Sequence, residues 1–196
     1  MERMQDLDRG IVVWLNNGVG AIFALDLLIE WLVSDYFITL LLGLSLVAIW
    51  FGSNDPSTRI QRQIGVLVSL FSMAIANLIV LIANIFYFRD RPFIDLDLQL
   101  LFYEPTDSSM PANSSAAFFG LAFAFYRYNK KLGGLLILIA SIHGFLRVYT
   151  GVHYPSDIIV GAFIGAIAAF IGHRFFILLR SIPNIVVKLF RFFCVA

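Results

Sequence analysis

The chain has 196 residues, of which 60% are hydrophobic and only 14% are charged, and its mean hydropathy is +0.85. This composition is typical of an integral membrane protein and excludes an ordinary soluble enzyme. The net charge of +1 offers no broad basic surface, so we expect no nucleic-acid partner. Only short loops separate the apolar segments, and residues 1–196 are therefore predicted to form a single membrane domain.

Six apolar segments follow one another along the chain, and each is a candidate membrane span because a spanning helix needs about 20 apolar residues. The first, 10–33, contains polar residues such as Asn16 and Asp26 and is interpreted as part interfacial helix and part span. A last stretch, 183–196, is predicted to be an interfacial amphipathic helix. We therefore expect an all-α polytopic bundle of about six transmembrane helices plus interfacial helices. The five other predicted spans are 37–51, 64–88, 111–126, 132–149 and 155–179.

The distribution of basic residues predicts how the bundle sits in an inner membrane. Six spans would place both termini on one side, and the side richer in Lys and Arg is normally cytoplasmic. The termini are therefore predicted to be cytoplasmic. The acidic loop 93–110 and the turn 151–156 then lie together on the extracytoplasmic face. The basic residues that share the cytoplasmic face are Arg59, Arg62, Arg127, Lys130, Lys131, Arg174, Arg180 and Lys188.

Four charged or titratable residues lie at the extracytoplasmic ends of predicted spans. Asp157 follows His153 by four residues and can accept the proton on one ring nitrogen, which leaves the other as a nucleophilic lone pair. Arg91 and Arg147 offer permanently charged guanidinium groups that match phosphate oxygens. Arginine near a membrane is costly enough to indicate function. The alternative is a structural His-Asp pair with two arginines that reach the interface. His143, one turn deeper than Arg147, is interpreted as structural, and a relocated catalytic role in place of the absent acid is the alternative.

The order and spacing of these residues resemble the type 2 phosphatidic acid phosphatase (PAP2) superfamily, in its membrane branch with the bacterial undecaprenyl-diphosphate phosphatases. The pattern of that family has three parts: Lys, six residues, Arg-Pro; Pro-Ser-Gly-His; and Ser-Arg, five residues, His, three residues, Asp. The matching positions in this chain are Asn84 and Arg91-Pro92 for the first part, Pro111-Ala112-Asn113-Ser114 for the second, and Leu146-Arg147, His153 and Asp157 for the third.

The resemblance implies a PAP2-like helical fold and hydrolysis of a lipid phosphate or polyprenyl diphosphate in the membrane. It implies attack by His153 to form a phosphohistidine, with Asp157 as its orienting partner and with no metal and no cofactor. Arg91 and Arg147 would bind the phosphate oxygens.

Five positions depart from the family pattern, and two of them are Ala112 and Asn113 in place of the Ser-Gly pair. Asn84 replaces the phosphate-binding lysine, Ser114 replaces the histidine that protonates the leaving group, and Leu146 replaces a serine. Asn84, Asn113 and Ser114 are the candidates for substrate contact at the altered motifs. Loss of a general acid costs about 10²- to 10⁴-fold in rate, although a diphosphate, whose leaving group is phosphate, suffers less.

Two functions follow from the sequence. The first is a lipid phosphatase or diphosphatase, favoured by the retained His153 and Asp157. The second is a catalytically impaired or inactive relative that binds a lipid phosphate or serves as a subunit of a membrane protein complex, favoured by the altered Asn84, Ser114 and Leu146. The expected partners are a lipid phosphate, membrane lipids and, for the second function, other subunits. The sequence leaves turnover open.

Overall fold

The computed structural model describes residues 2–34, 36–101, 103–179 and 186–187. All regular elements in these ranges are α-helices, which confirms the predicted all-α class. The predicted helix at 183–196 lies outside the described residues except for 186–187. The helices are α1 (Glu2–Asn16), α2 (Phe23–Val33), α3 (Phe37–Phe51), α4 (Pro56–Phe86), α5 (Pro92–Asp95), α6 (Asn113–Tyr126), α7 (Lys130–Tyr149) and α8 (Pro155–Leu178).

Three to four of the six predicted spans are found among the described residues. Among the described residues, α4, α7 and α8 are long and apolar enough to cross a membrane, and α2 with α3, bent by 56°, makes a fourth if the pair is one span. The prediction of about six spans is therefore confirmed only for these. The segment at α6 has 14 residues, or about 21 Å of helix, which is shorter than the roughly 30 Å hydrocarbon core.

Local sequence signals set where the long helices begin. The side chain of Asp55 accepts a hydrogen bond from the Thr58 backbone N–H at 2.8 Å, and Pro56 occupies the first turn of α4, both ordinary N-terminal features. Asn129 caps α7 in the same way through the Leu132 N–H at 3.0 Å. These caps satisfy backbone donors that a helix start otherwise leaves unpaired.

Helix α6 lies at the centre of the bundle and packs against α4, α7 and α8. Its contact with α8 is close because a Cβ added at Gly165 would lie 2.6 Å from the Gly120 nitrogen and one added at Gly161 would lie 2.7 Å from the Ala112 oxygen. Gly161 and Gly165 thus allow the two helix backbones to approach each other closely. Close backbone approach of this kind stabilises helix pairs in lipid, where apolar burial gives little driving force.

Helix α1 packs at the end of the bundle that also carries the loop after α4 and the turn before α8. Arg9 lies 3.3 Å from Asp95, and the Asn16 side chain donates to the backbone oxygens of Gln99 and Tyr149 at 3.0 and 3.1 Å. Because α8 begins at this end and runs away from it, α1 and the far end of α8 lie at opposite ends of the bundle. Residues 180–185 and 188–196 lie outside the described part of the chain, so the placement of both termini on one side stays a prediction. The polar residues of 10–33 bind loops instead of interrupting a span.

Candidate active site

A cavity of about 360 Å³ lies between α3, α4, α6, α7 and the turn before α8. The predicted site residues that line it are Arg91, Asn113, Ser114, Arg147 and His153. Asn84 is not among its lining residues, while Asn77, seven residues earlier on α4, is. Asp157 is fully buried and lies behind His153, with one carboxylate oxygen 3.8 Å from the ring nitrogen Nδ1. The structure therefore brings together most of the residues predicted for the site.

His153 lies in the turn between α7 and α8, and both of its ring nitrogens have neighbours. Nδ1 is 2.9 Å from the backbone oxygen of Ser109. Nε2 is 3.2 Å from Nη1 of Arg91, which can only donate a hydrogen bond. Nε2 is therefore the acceptor, Nδ1 carries the proton, and that proton is donated to the Ser109 carbonyl. The lone pair needed for attack faces Arg91 and the cavity.

The surroundings of His153 keep its ring neutral. This turn lies outside the spanning helices, and the pKa of His153 is lowered from 6.5 to about 4. Burial is the largest cause, and the positive charges of Arg91 and Arg147 act in the same direction against the opposing effect of Asp157. A buried histidine next to cations holds a proton poorly. A neutral imidazole is the form that can act as a nucleophile.

Asp157 is linked to His153 through Ser109. Its Oδ2 accepts the Ser109 hydroxyl at 2.5 Å and the Tyr154 backbone N–H at 2.8 Å, so it also caps the start of α8. The carboxylate fixes Ser109, and the backbone oxygen of Ser109 accepts the proton of His153. The sequence predicted a direct hydrogen bond from the ring of His153 to Asp157. In the structure the ring instead donates to the Ser109 backbone oxygen, because the Asp157 carboxylate faces Tyr154 and the Ser109 hydroxyl.

Arg89 is a site residue that the motif spacing did not indicate. Its Nη1 donates to Oδ1 of Asp157 at 2.6 Å and to the Ser156 hydroxyl at 2.7 Å, while Nη2 donates to Oδ2 of Asp8 at 2.9 Å. Asp8 also accepts from the backbone N–H of Ser156 at 3.1 Å and from its hydroxyl. Arg89 thus connects α1 to the buried carboxylate of Asp157. The sequence feature that could have identified Arg89 is its position two residues before Arg91, at the end of an apolar segment.

Arg91 is held in place on all sides of its guanidinium group. Nε donates to the backbone oxygen of Asp107 at 3.0 Å, Nη2 donates to the Asp107 carboxylate at 2.8 Å, and Nη1 donates to the Val152 oxygen at 3.1 Å. Asp107 belongs to the acidic loop, and its side chain is 62% exposed. Asp107 therefore supplies a carboxylate at the position where a phosphate would bind Arg91.

Arg147 and His143 reach the cavity from α7. Arg147 is buried, and its backbone oxygen accepts the N–H groups of Val152 and His153 at 3.1 and 3.3 Å, which shapes the turn that carries His153. His143 lines the same cavity, although its depth on α7 had indicated a structural role. Within the described part of the chain, no three His, Cys, Asp or Glu side chains are grouped as metal ligands.

This arrangement is suited to phosphoryl chemistry. A neutral imidazole presents its lone pair beside two guanidinium groups, which can bind phosphate oxygens and offset the charge that builds up during displacement.

Comparison with known proteins agrees with this chemistry. The sequence is similar to the undecaprenyl-diphosphatase BcrC of Bacillus subtilis (strain 168), with 29% identity over 148 residues that cover 76% of this chain and 74% of BcrC. The structure is similar to LpxE of Aquifex aeolicus, with a TM-score of 0.61 and 26% identity over 84% of this chain and 93% of that one. It also shares its fold with a transmembrane PAP2 type phosphatidylglycerolphosphate phosphatase from Bacillus subtilis, with a TM-score of 0.58 and 20% identity over 89% of this chain and 87% of that one. The model of one family matches residues 65–180, more than half of the sequence, and on this ground the chain belongs to the PAP2 superfamily.

Proposed function

We propose that this protein hydrolyses a membrane lipid phosphate or polyprenyl diphosphate through a phosphohistidine at His153. The observation that carries the proposal is the 3.2 Å approach of Nε2 of His153 to Nη1 of Arg91 in a cavity that Arg147 also lines. Three groups that phosphoryl transfer uses thus face one space. Similarity to a relative named undecaprenyl-diphosphatase supports a polyprenyl diphosphate as substrate.

The reaction starts when phosphate oxygens replace the present partners of Arg91. Nη1 then leaves Nε2 of His153, and the freed lone pair attacks phosphorus. A bond from nitrogen to phosphorus forms, the bond from phosphorus to the leaving oxygen breaks, and its electron pair stays with that oxygen. The backbone oxygen of Ser109, 2.9 Å from Nδ1, stabilises the positive ring. Water then attacks phosphorus, the ring nitrogen recovers its electron pair, and phosphate is released.

The site end of the bundle is proposed to face the extracytoplasmic side. The start of α4, the start of α7 and the far end of α8 lie at the other end and are rich in Lys and Arg. Basic residues mark cytoplasmic ends. The substrate would then enter from the outer leaflet. The basic residues at that other end include Arg59, Arg62, Arg127, Lys130, Lys131 and Arg174.

A second candidate function is binding of a lipid phosphate without turnover. It is favoured by Ser114, which offers no strong proton donor where the resemblance expects a histidine, and by Asp107, whose carboxylate already pairs with Arg91 at 2.8 Å. A protein of this kind would bind the phosphate group and release none.

Phosphate release from purified protein in detergent tests the proposal. We expect release from a polyprenyl diphosphate or from phosphatidic acid, with and without a chelator, and complete loss in His153→Gln. His173→Gln is the matched control because His173 lies on α8 away from the cavity, and it should release phosphate at the normal rate. Retained lipid binding with no release by the wild type would favour the second candidate.

A further inference from the structure

We propose that His143 is the proton donor to the leaving group, in the role that Ser114 cannot fill. The inference rests on the proposed function and adds a catalytic residue to the same cavity. Histidine is the side chain most often used for general acid catalysis. A serine hydroxyl is far too weak an acid for this purpose.

The ring of His143 packs against α6, one turn from Ser114. Ser114 and Phe118 lie one turn apart on the same face of α6, and the ring of Phe118 meets the ring of His143 edge to face, with 4.9 Å between the centroids. All three residues line the cavity, and so does Arg147, one turn after His143 on α7. His143 therefore faces the same cavity as Ser114, from the α7 side.

Unpaired polar atoms around this part of the cavity point to a polar ligand. His143 is only 2% exposed, and its Nδ1 has no hydrogen-bond partner among the described residues. The same holds for Oγ of Ser114 and Oδ1 of Asn77, which are also buried. Buried polar atoms are normally hydrogen-bonded. In a bound phosphate, one oxygen can accept from the Ser114 hydroxyl and another can share a proton with Nδ1 of His143. The Asn77 amide can donate to a phosphate oxygen in the flipped orientation that presents its NH2 group.

The other polar residues of the cavity are less suited to the role. Asp107 pairs with Arg91 at 2.8 Å, so its carboxylate is already engaged as an acceptor. Asn77 and Thr39 have no proton that they can give up at neutral pH. His153 is committed to attack on phosphorus. His143 is the titratable side chain that remains among the lining residues in the described part of the chain, apart from the arginines and Tyr103.

The proton balance closes with His143 in this role. The phosphate monoester arrives with one proton, and Nδ1 of His143 accepts it on binding because the negative charge of the bound phosphate offsets the effects of burial and of Arg147. As Nε2 of His153 attacks, the bond from phosphorus to the leaving oxygen breaks and His143 returns the proton to that oxygen. Water then displaces His153 from phosphorus and gives its proton to Nδ1. That proton leaves with the released phosphate, and both histidines are restored.

The dependence of the rate on the leaving group tests this inference. An alkyl phosphate lipid needs a proton on its leaving oxygen, whereas 4-nitrophenyl phosphate does not. We expect His143→Gln to lower kcat/KM about 10²- to 10⁴-fold for the lipid and to change it little for the aryl ester. Adding Ser114→His to His143→Gln should restore much of the activity on the lipid. The control His173→Gln should leave both rates unchanged.

Several outcomes would overturn the inference. Equal losses on both substrates would mean that His143 only supports the fold, and no loss on the lipid would mean that it is not used. If His143→Gln alone does not give a monodisperse protein, the variant that combines His143→Gln with Ser114→His is used for the test. A well-folded double variant that does not hydrolyse the lipid would contradict the inference. Absence of wild-type release from both of these substrates and from a polyprenyl diphosphate would refute the proposed function itself. Normal wild-type release with an unaffected His143→Gln would refute the role of His143 alone.

Discussion

Arg89 illustrates how a buried ion pair at one residue supports the site. Its guanidinium group lies between the carboxylates of Asp157 and Asp8 at 2.6 and 2.9 Å, and its side chain is only 16% exposed. Replacing one partner of a buried pair strands the remaining charge, which typically costs about 3–5 kcal/mol. We expect Arg89→Met to lower the free energy of unfolding in detergent by an amount in that range. Arg89→Lys should lower it less because the charge is kept.

The chain contains a matched control for this experiment. Arg9 and Asp95 form an ion pair at 3.3 Å with both side chains about half exposed, and exposed pairs contribute at most about 1 kcal/mol. Arg9→Met should therefore change stability little. Equal effects of Arg9→Met and Arg89→Met would contradict the stabilising role assigned to the pairs of Arg89.

The lowered pKa of His153 predicts a pH dependence of stability. In the unfolded chain the ring takes up a proton near its ordinary pKa of 6.5, whereas in the folded protein it does so only near 4. Between these values the unfolded state binds more protons, and stability therefore falls as the pH falls. We expect the unfolding temperature to drop between pH 7 and pH 5 by more in the wild type than in His153→Gln, which cannot titrate there. Parallel curves for the two proteins would contradict this.

At the level of residues, sequence reasoning located Arg91, Arg147, His153 and Asp157, which the structure brings close together, because charged groups at fixed spacing identify a site. It could not predict that the Ser109 backbone oxygen accepts a hydrogen bond from Nδ1 of His153, because every residue has a backbone oxygen and the sequence does not distinguish this one. It favoured a structural role for His143 over a catalytic one, since helix periodicity gives the face of a residue and not the depth of the cavity.

At the level of helices, the close contact of α6 and α8 holds the two halves of the site together. A Cβ at Gly165 would lie 2.6 Å from the Gly120 nitrogen and 2.8 Å from the Ala116 oxygen, and backbone atoms cannot move aside as side chains do. We expect Gly165→Val to separate the helices, move Ser114 away from His153 and abolish phosphate release. It should also cost at least about 1–3 kcal/mol of stability, as overpacking does.

Gly134 on α7 is the control for that substitution, because a Cβ added there meets no atom within 4 Å. Gly134→Ala should keep full activity and raise helix stability slightly. Normal phosphate release by Gly165→Val would show that the α6 contact with α8 does not position the site.

The prediction of helices from the sequence was incomplete at two segments. The apolar segment at α6 was counted as a span, yet it is a 14-residue helix with ten buried residues. Its apolar character arises from burial within the protein as much as from lipid. The segment 10–33 was treated as a broken span because of its polar residues. Asn16 in fact bonds to Gln99 and Tyr149, and such long-range partners cannot be read from local composition.

At the level of the whole molecule, the chain is an integral membrane protein whose two ends carry different charges, and its orientation can be measured. Asn54 lies in the exposed loop before α4, and Asp90 lies in the exposed loop at the site end. In a background with Cys194→Ser, we expect Asp90→Cys to react with a membrane-impermeant maleimide from the outside of intact cells. Asn54→Cys should react only after the membrane is opened. The reverse pattern would refute the proposed extracytoplasmic site.

The central claim is that His153 becomes covalently bonded to phosphorus, and trapping this species is the most direct test. Protein would be mixed briefly with a lipid labelled in the phosphate to be transferred and then quenched in alkali, in which phosphohistidine is stable. We predict protein-bound label that is lost in acid, maps to His153 and is absent from His153→Gln. Phosphate release without any trapped label, at a rate that His153→Gln leaves unchanged, would contradict the account.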